Sequence, residues 1–512
     1  MSARSSSPGQ EKSKARSNLA NLVTVEPVVE KKAEQVLVPL SNNLNALKSD
    51  QESSMIVYRL YRRRWLGLVG MVVLNIVAAM NWIWFSPIAK STADDFHISL
   101  PQVNWLSQVV NLIYLPMALA IPSMIQRFGI RKTCLTAGAC LLIASWIRYA
   151  GVSRSLSTNG AYALLILGQI FAGFAQPVFQ VLGPKFSETW FDLKARTTVT
   201  MIIAVANPIG SAIGQLIPPF LDSPRSSLLV LGVATTASVG LVLFIQEAPP
   251  TPPSEDATQV VNECSIDTVT AFAGSRPSPP FTDTMAALFG RQKLSEDDGS
   301  PTFSKTEKID FAIIATVFGV LVGAISSFSI LISQIGPVGY TEETAGFVGA
   351  ALLLMGLLAG IITAPLFDRV LTHHLARSIQ VFVPLMAACW VGLIFAVRPN
   401  NIIPIYVVSA LIGVMGFLLL PVGLELGCEV LRNAEVSSAA LWMAGNLWTL
   451  VFVLASDPLR GKEEPHSMRN TIILIACFVA ASSLLVFKLT GRQARRELDV
   501  EKSREANNII AL

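Results

Sequence analysis

Residues 249–253 read PPTPP, residues 277–280 read PSPP and residues 296–298 read EDD, all inside one polar stretch, 247–308. Such a segment buries too little apolar surface to offset the entropy of ordering it, so it predicts a flexible linker. About six apolar runs precede the stretch and about six follow it. Each has roughly twenty residues, the length at which a helix crosses ~30 Å of hydrocarbon. The linker therefore divides the chain into two membrane-embedded halves.

The predicted fold is all-α, because a backbone inside lipid must satisfy its polar groups within its own segment. Twelve transmembrane helices are predicted, at 65–87, 104–125, 132–152, 160–183, 197–220, 226–246, 311–333, 345–366, 378–397, 402–424, 436–456 and 470–490. They form two six-helix bundles, 61–246 and 309–490, on either side of the linker at 247–308. The polar ends, 1–60 and 491–512, are predicted to be disordered tails. The first tail lacks the apolar core of a cleaved secretory signal.

Composition excludes several classes of protein. Hydrophobic residues make up 52% of the 512 residues and charged residues 14%, against ~25% charged in soluble domains. The net charge of +4 gives no indication of nucleic-acid binding. The six cysteines follow neither a metal-site spacing nor a disulfide framework, so no metal or cofactor is expected. The predicted spans hold no cluster of histidine or carboxylate groups, and the chain has no nucleotide-binding glycine loop, so an enzyme or ATP-driven pump is not expected.

Basic residues are distributed unevenly between the two sets of predicted loops. One set holds clusters, Arg62–Arg64, Arg127, Arg131, Lys132, Lys194 and Arg196. The other holds mostly single charges, with Arg460, Lys462 and Arg469 in its last loop as the exception. The positive-inside rule therefore predicts a multi-pass membrane protein with both termini and the linker in the cytosol. The tails do not distinguish the plasma membrane from an organelle membrane.

One loop resembles a known signature. The segment 126–132 reads QRFGIRK, which is similar to the cytoplasmic loop motif Asp-Arg-x-Gly-Arg-Arg/Lys of the major facilitator superfamily, with glutamine in place of the acid. The motif positions are Arg127, Gly129 and Arg131, and the second half repeats part of the motif at Asp368 and Arg369. The resemblance implies two helix bundles that alternate around a midplane site, usually as a monomer, with these residues as a conformational lock. The same charges could instead only set topology.

A closer resemblance runs over about residues 60–490. It rests on NWIW at 81–84, WLS at 105–107, AQP at 175–177, NPIGSAIG at 207–214, TAG at 344–346 and PVG at 421–423. These stretches are similar to the feline leukaemia virus subgroup C receptor-related transporters, which implies transport of choline or ethanolamine, with haem also claimed for members. The resemblance implies a substrate site of Trp82, Gln176 and Asn446, the last a shorter amide than in the family. The family's aromatic residue of the seventh helix is missing, with Ser326 or Ser327 at about its place.

The residues themselves leave alternatives open. Trp82 suits cation–π binding of a quaternary ammonium, but tryptophans near a helix end also form interfacial belts. Gln176 could contact substrate or hydrogen-bond a neighbouring helix. Asn111 and Tyr114, three residues apart on one helical face, could line the cavity or only pack.

Charges within the spans are few. Glu425, at the end of the tenth predicted span, could act as a gate or attract cations. Arg148, near the end of the third span, is predicted to extend its charge to the membrane interface. No carboxylate lies at the midpoint of a predicted helix, which favours facilitated over proton-coupled transport.

The predicted function is secondary transport of a small solute, choline or ethanolamine, by alternating access. The alternative is the same fold carrying haem or another organic or vitamin-like solute.

Overall fold

A computed structural model describes residues 60–251, 286, 288, 303–335, 340–369, 375–399, 401–431, 434–461 and 468–490. These residues contain twelve helices long and apolar enough to span a membrane. In chain order, α1 to α6 are Arg63–Ile83, Leu100–Ile125, Arg127–Ala150, Thr158–Val181, Leu193–Leu216 and Pro224–Val239. Helices α7 to α12 are Lys305–Ile330, Glu342–Arg369, Leu375–Ala396, Ile402–Leu431, Ala434–Leu459 and Arg469–Leu485. The prediction of an all-α protein with twelve transmembrane helices is confirmed.

The helices run alternately between two ends of the molecule. We call one end of the molecule the linker side, because α6 ends there and α7 begins there, on either side of the predicted linker. Helix α1 also begins at this end. The opposite end is called the far side. Three short helices, Ala89–Phe96, Gly183–Trp190 and Ile332–Ile335, connect spans.

Helices α2 and α3 form one long stretch, Leu100–Ala150, that breaks at Gly129. Gly129 has φ 78° and ψ 175°, a conformation that side chains disfavour. The carboxylate of Glu247 lies against this glycine and accepts from the backbone N–H of Ile130 at 2.7 Å and of Arg131 at 2.9 Å. The first turn of a helix has free N–H groups and a partial positive charge, so Glu247 caps α3 at the linker side.

Each half has its own apolar core. The N-terminal half has two clusters of buried apolar residues. One includes Met71, Leu141 and Phe179. The other includes Trp84 and Phe96. The C-terminal cluster includes Phe328 and Trp390, and it reaches across to Ile83 and Ala212 of the first half. Helix α5 packs against α8, and α11 packs against the α2–α3 stretch. The two halves therefore meet along these helices.

The borders of the predicted linker 247–308 are packed into the fold. Glu247 caps α3, and α7 already begins at Lys305 behind a Ser304–Glu307 capping box. Leu288 is buried and belongs to the C-terminal core. Linker residues 252–285, 287 and 289–302, together with 1–59 and 491–512, lie outside the described residues.

Candidate functional site

The two halves are joined by hydrogen bonds at the far side. Glu342, at the start of α8, accepts from the backbone N–H of Ser91 at 3.0 Å and from the Ser91 hydroxyl. Ser91 lies in the first turn of Ala89–Phe96, so the carboxylate caps that short helix from the other half. The Ser333 hydroxyl donates to the Ser86 carbonyl at 2.8 Å. None of these contacts was predicted from the sequence.

A polar chain continues this contact. Gln334 donates to the side chain of Asn104 at 2.7 Å, and Asn104 donates to Asp457 at 3.4 Å. Arg460 also donates to Gln334, and partial burial lowers the pKa of Arg460 while Asp457 opposes the shift. Gln215 of α5 donates to the carbonyl of Ser329 at 2.9 Å. Together with Ser86, Ser91, Ser333 and Glu342, these residues are called the far-side cluster.

A cavity of about 120 Å³ lies on the linker side of that cluster, between the halves. Its N-terminal wall holds Trp82, Asn207, Pro208 and Ser211. Its C-terminal wall comes from α7 to α11 and from Leu489, just after α12. It reaches Ile314 and Ile379, in the linker-side halves of α7 and α9. The cavity therefore extends to the linker side while the halves are joined at the far side.

Trp82 lies in the wall of this cavity. The Ser107 hydroxyl of α2 donates to the Trp82 carbonyl at 3.2 Å, which fixes the end of α1. The indole N–H of Trp82 is buried and has no hydrogen-bond partner in the described protein. Trp84, by contrast, is fully buried in the N-terminal core and its indole donates to Ser227 at 3.2 Å. Of this pair, Trp82 presents its ring to the cavity.

Three further predicted site residues are buried in the N-terminal half. Gln176 Oε1, Asn111 Nδ2 and the Tyr114 hydroxyl have no partner in the described protein. Both polar atoms of the Gln108 side chain are also buried and unpaired. Gln108 was missed, although it lies three residues before Asn111 on the same face. A buried unpaired polar atom costs about 1–3 kcal/mol, so this group favours a ligand or water nearby.

Asn446 of α11 is half-buried, and its amide donates to the carbonyl of Trp442 in its own helix at 2.9 Å. The Asn104–Asp457 contact sets the register between antiparallel α2 and α11. At 1.5 Å per residue, Tyr114 and Asn446 lie at similar depths, about 15 Å and about 16.5 Å from that contact. Gly173 packs against Val110 and Ile113, which places Gln176 near this depth too. Of the five predicted substrate residues, Trp82 alone is among the residues lining the described cavity.

The expectation that Arg148 extends to the interface is wrong. Its side chain is 0% exposed, inside the N-terminal half. It donates to the carbonyl of Asn81 and to the amide oxygen of Gln169, both at 3.4 Å, and also contacts the Asn81 side chain. Gln169 donates to the same Asn81 carbonyl at 3.3 Å. The carbonyl end of α1 carries partial negative charge, so it compensates this guanidinium.

The predicted lock residues lie at the linker side. The side chains of Arg127 and Arg131 are exposed, and Gly129 packs on Glu247. Asp368 and Arg369 end α8, but their side chains lie outside the description. Glu425 is largely exposed on α10. Glu247, the partner of the loop, was missed because it was assigned to the linker.

Metal and haem ligands are few among the described residues. These residues include no group of three histidine, cysteine or carboxylate side chains able to hold a metal ion. His97, the one histidine among them, is exposed at the far side. The described part of the cavity therefore offers no imidazole to a haem.

Comparisons with known proteins agree with this geometry. The model of the Major Facilitator Superfamily matches residues 71–456. Solute carrier family 49 member A3 of Xenopus tropicalis is 26% identical over 78% of this chain and 79% of its own length. The choline/ethanolamine transporter FLVCR2 of Homo sapiens is 22% identical over 80% of this chain and 74% of its own length. FLVCR1 of Mus musculus, also named a choline/ethanolamine transporter, is 25% identical over 81% of this chain and 73% of its own length.

Solved structures share the fold. The xylose transporter XylE from E. coli, in a partially occluded inward open conformation, aligns with a TM-score of 0.60 at 12% identity, covering 84% of this chain and 98% of that one. Twelve spans in two halves around a central cavity define a membrane transporter rather than an enzyme. The chain belongs to the Major Facilitator Superfamily, and the predicted resemblance to the feline leukaemia virus subgroup C receptor-related transporters is confirmed.

Proposed function

We propose that this protein moves choline or ethanolamine across a membrane by alternating access. The observation that carries the proposal is the Trp82 indole in the cavity wall between the halves. An ammonium over a tryptophan ring gains about 0.5–2 kcal/mol, and more where water is excluded. The relatives named as choline/ethanolamine transporters support the same substrate class.

The remaining predicted site residues would complete the site as the halves close. Gln176, Asn111 and Tyr114 each carry an unpaired buried polar atom, and Gln176 and Tyr114 lie at about the depth of Asn446. A substrate hydroxyl or amine could pair with these atoms and remove part of their desolvation cost. Asn446 would contribute from the other half, if its amide leaves the Trp442 carbonyl.

Transport would proceed by opening the far-side cluster and closing the linker side. Arg127, Gly129, Arg131, Asp368 and Arg369 would hold the second state, with Glu425 nearby on α10. None of the residues described as lining the cavity is acidic, which supports facilitated transport driven by the membrane potential. The positive-inside bias supports cytosolic termini, and the protein is proposed to act as a monomer in the plasma membrane or an organelle membrane.

The test is uptake of labelled choline and ethanolamine into liposomes that contain the purified protein and carry a potential negative inside. Trp82→Ala is expected to raise KM about 2- to 30-fold, the loss of ~0.5–2 kcal/mol. The matched control is Trp146→Ala, because Trp146 is 41% exposed on the outer face of α3. Equal KM values for the two variants would refute a role for Trp82.

The same vesicles distinguish the alternative. Absence of choline and ethanolamine uptake by folded wild-type protein would refute the proposed substrate. Haem or another organic solute would then be supplied to the same liposomes.

A further inference from the structure

We propose that the cavity takes an amphiphilic ammonium compound, with its cationic head at Trp82 and a hydrocarbon tail along α7. This inference rests on the proposed function and extends its substrate class from small amines to ammonium compounds with a hydrocarbon tail. It is drawn from the polarity of the cavity walls, which changes along the length of the cavity.

Helix α7 supplies one continuous stripe of the wall. Its lining residues follow helical spacing from Ile314 through Val317 and Leu321 to Ser326 and Ser329. Fifteen residues separate the first from the last, which corresponds to about 22 Å at 1.5 Å per residue. The stripe is polar at the Ser326–Ser329 end and apolar toward the linker side.

The facing helices show the same gradient. Asn207, Ser211 and the unpaired indole N–H of Trp82 surround the polar end. Ile379 and Val383 of α9 and Leu489, just after α12, surround the other end. The apolar end has no polar side chain among these three residues, so a hydrated small cation would find no hydrogen-bonding partner from them.

Hydration points the same way. Water in the apolar end would lie against Ile379, Val383 and Leu489, which offer it no hydrogen-bonding side chain. A hydrocarbon tail would displace that water, and each buried methylene would contribute about fourfold in affinity.

The first experiment measures binding to the full-length protein in nanodiscs by calorimetry, with empty nanodiscs subtracted. The ligands are trimethylammonium compounds with methyl, butyl and hexyl tails, together with choline. Affinity is expected to rise with tail length, up to about fourfold per methylene. Equal affinities across the series would overturn the proposal, even where choline uptake has established the proposed function. Absence of binding by every compound would overturn both.

Two pairs of variants separate head from tail. Val383→Phe places a larger side chain in the apolar end of the cavity. Val381→Phe is the control, because Val381 lies on the same helix and is 64% exposed. Val383→Phe is expected to flatten the dependence on tail length, and Val381→Phe to preserve it. Trp82→Ala is expected to lower the affinity for every compound of the series by the same factor. Trp146→Ala is expected to leave these affinities unchanged. A tail dependence that survives Val383→Phe would overturn the assignment of the tail to this cavity.

Discussion

The contact of Glu342 with Ser91 should decide how firmly the far side stays closed. Replacing Glu342 by alanine removes the acceptor of two hydrogen bonds that join the halves. The substitution leaves the sequence of the short helix Ala89–Phe96 unchanged, and it leaves the other hydrogen bonds of the far-side cluster in place. The variant is therefore expected to favour the state in which the far side is open.

The magnitude follows from the type of bond. A hydrogen bond to a charged group contributes about 1.5–3 kcal/mol when buried. The two hydrogen bonds to Glu342 are only partly buried, so we take about 1.5–3 kcal/mol for both bonds together and not for each. At ~1.4 kcal/mol per tenfold, the ratio of open to closed far side should rise about 10- to 150-fold.

The assay is a distance distribution between two spin labels across the far side, at Asn159→Cys in the first half and Arg398→Cys in the second. Both positions are exposed, and the native cysteines are replaced first. The matched control is Glu343→Ala, since Glu343 bonds to Thr341 within its own half. Identical distributions for the two variants would refute the view that the Glu342 bonds hold the halves together.

Two further predictions concern stability. Glu247→Ala should lower the free energy of unfolding in detergent by about 1–3 kcal/mol, because two first-turn N–H groups of α3 lose a charged acceptor; Glu247→Gln should recover part of it. An unchanged unfolding transition would contradict this role. Gly413→Ala should cost about 1–3 kcal/mol through overpacking, since its Cβ would collide with the Leu352 carbonyl of α8, whereas Gly392→Ala, with no atom within 4 Å, should be close to neutral. Similar thermal stabilities for the two glycine variants would count against close packing of α8 on α10.

The membrane fold could be predicted from the sequence because length and hydropathy of each span are local properties. Twelve spans and two halves follow from runs such as 311–333, and Gly129 could be recognised from its loop motif. The far-side cluster could not be predicted, since it joins Ser91 to Glu342, 251 positions apart, through single hydrogen bonds. No periodicity in either segment encodes that pairing.

The site was predicted unevenly for the same reason. Trp82 could be chosen over Trp84 only by resemblance, because helical spacing places them on different faces but does not say which face meets the cavity. Arg148 was assigned to the interface because its position near the end of a span suggests snorkelling. Its burial depends on Asn81 and Gln169 of two other helices, which only the assembled bundle brings together.

The buried guanidinium of Arg148 bears on how the chain enters the membrane. Arg148 lies two residues before the end of α3 at Ala150, so a lone α3 can extend this charge to the interface, whereas the guanidinium is buried in the assembled bundle. Its burial requires the end of α1 and the side chain of Gln169 on α4, which compensate the charge. During synthesis α4 is made after α3, so α3 reaches its final position in the bilayer only after α4 has been inserted. The first four helices would then be integrated as a unit rather than one at a time.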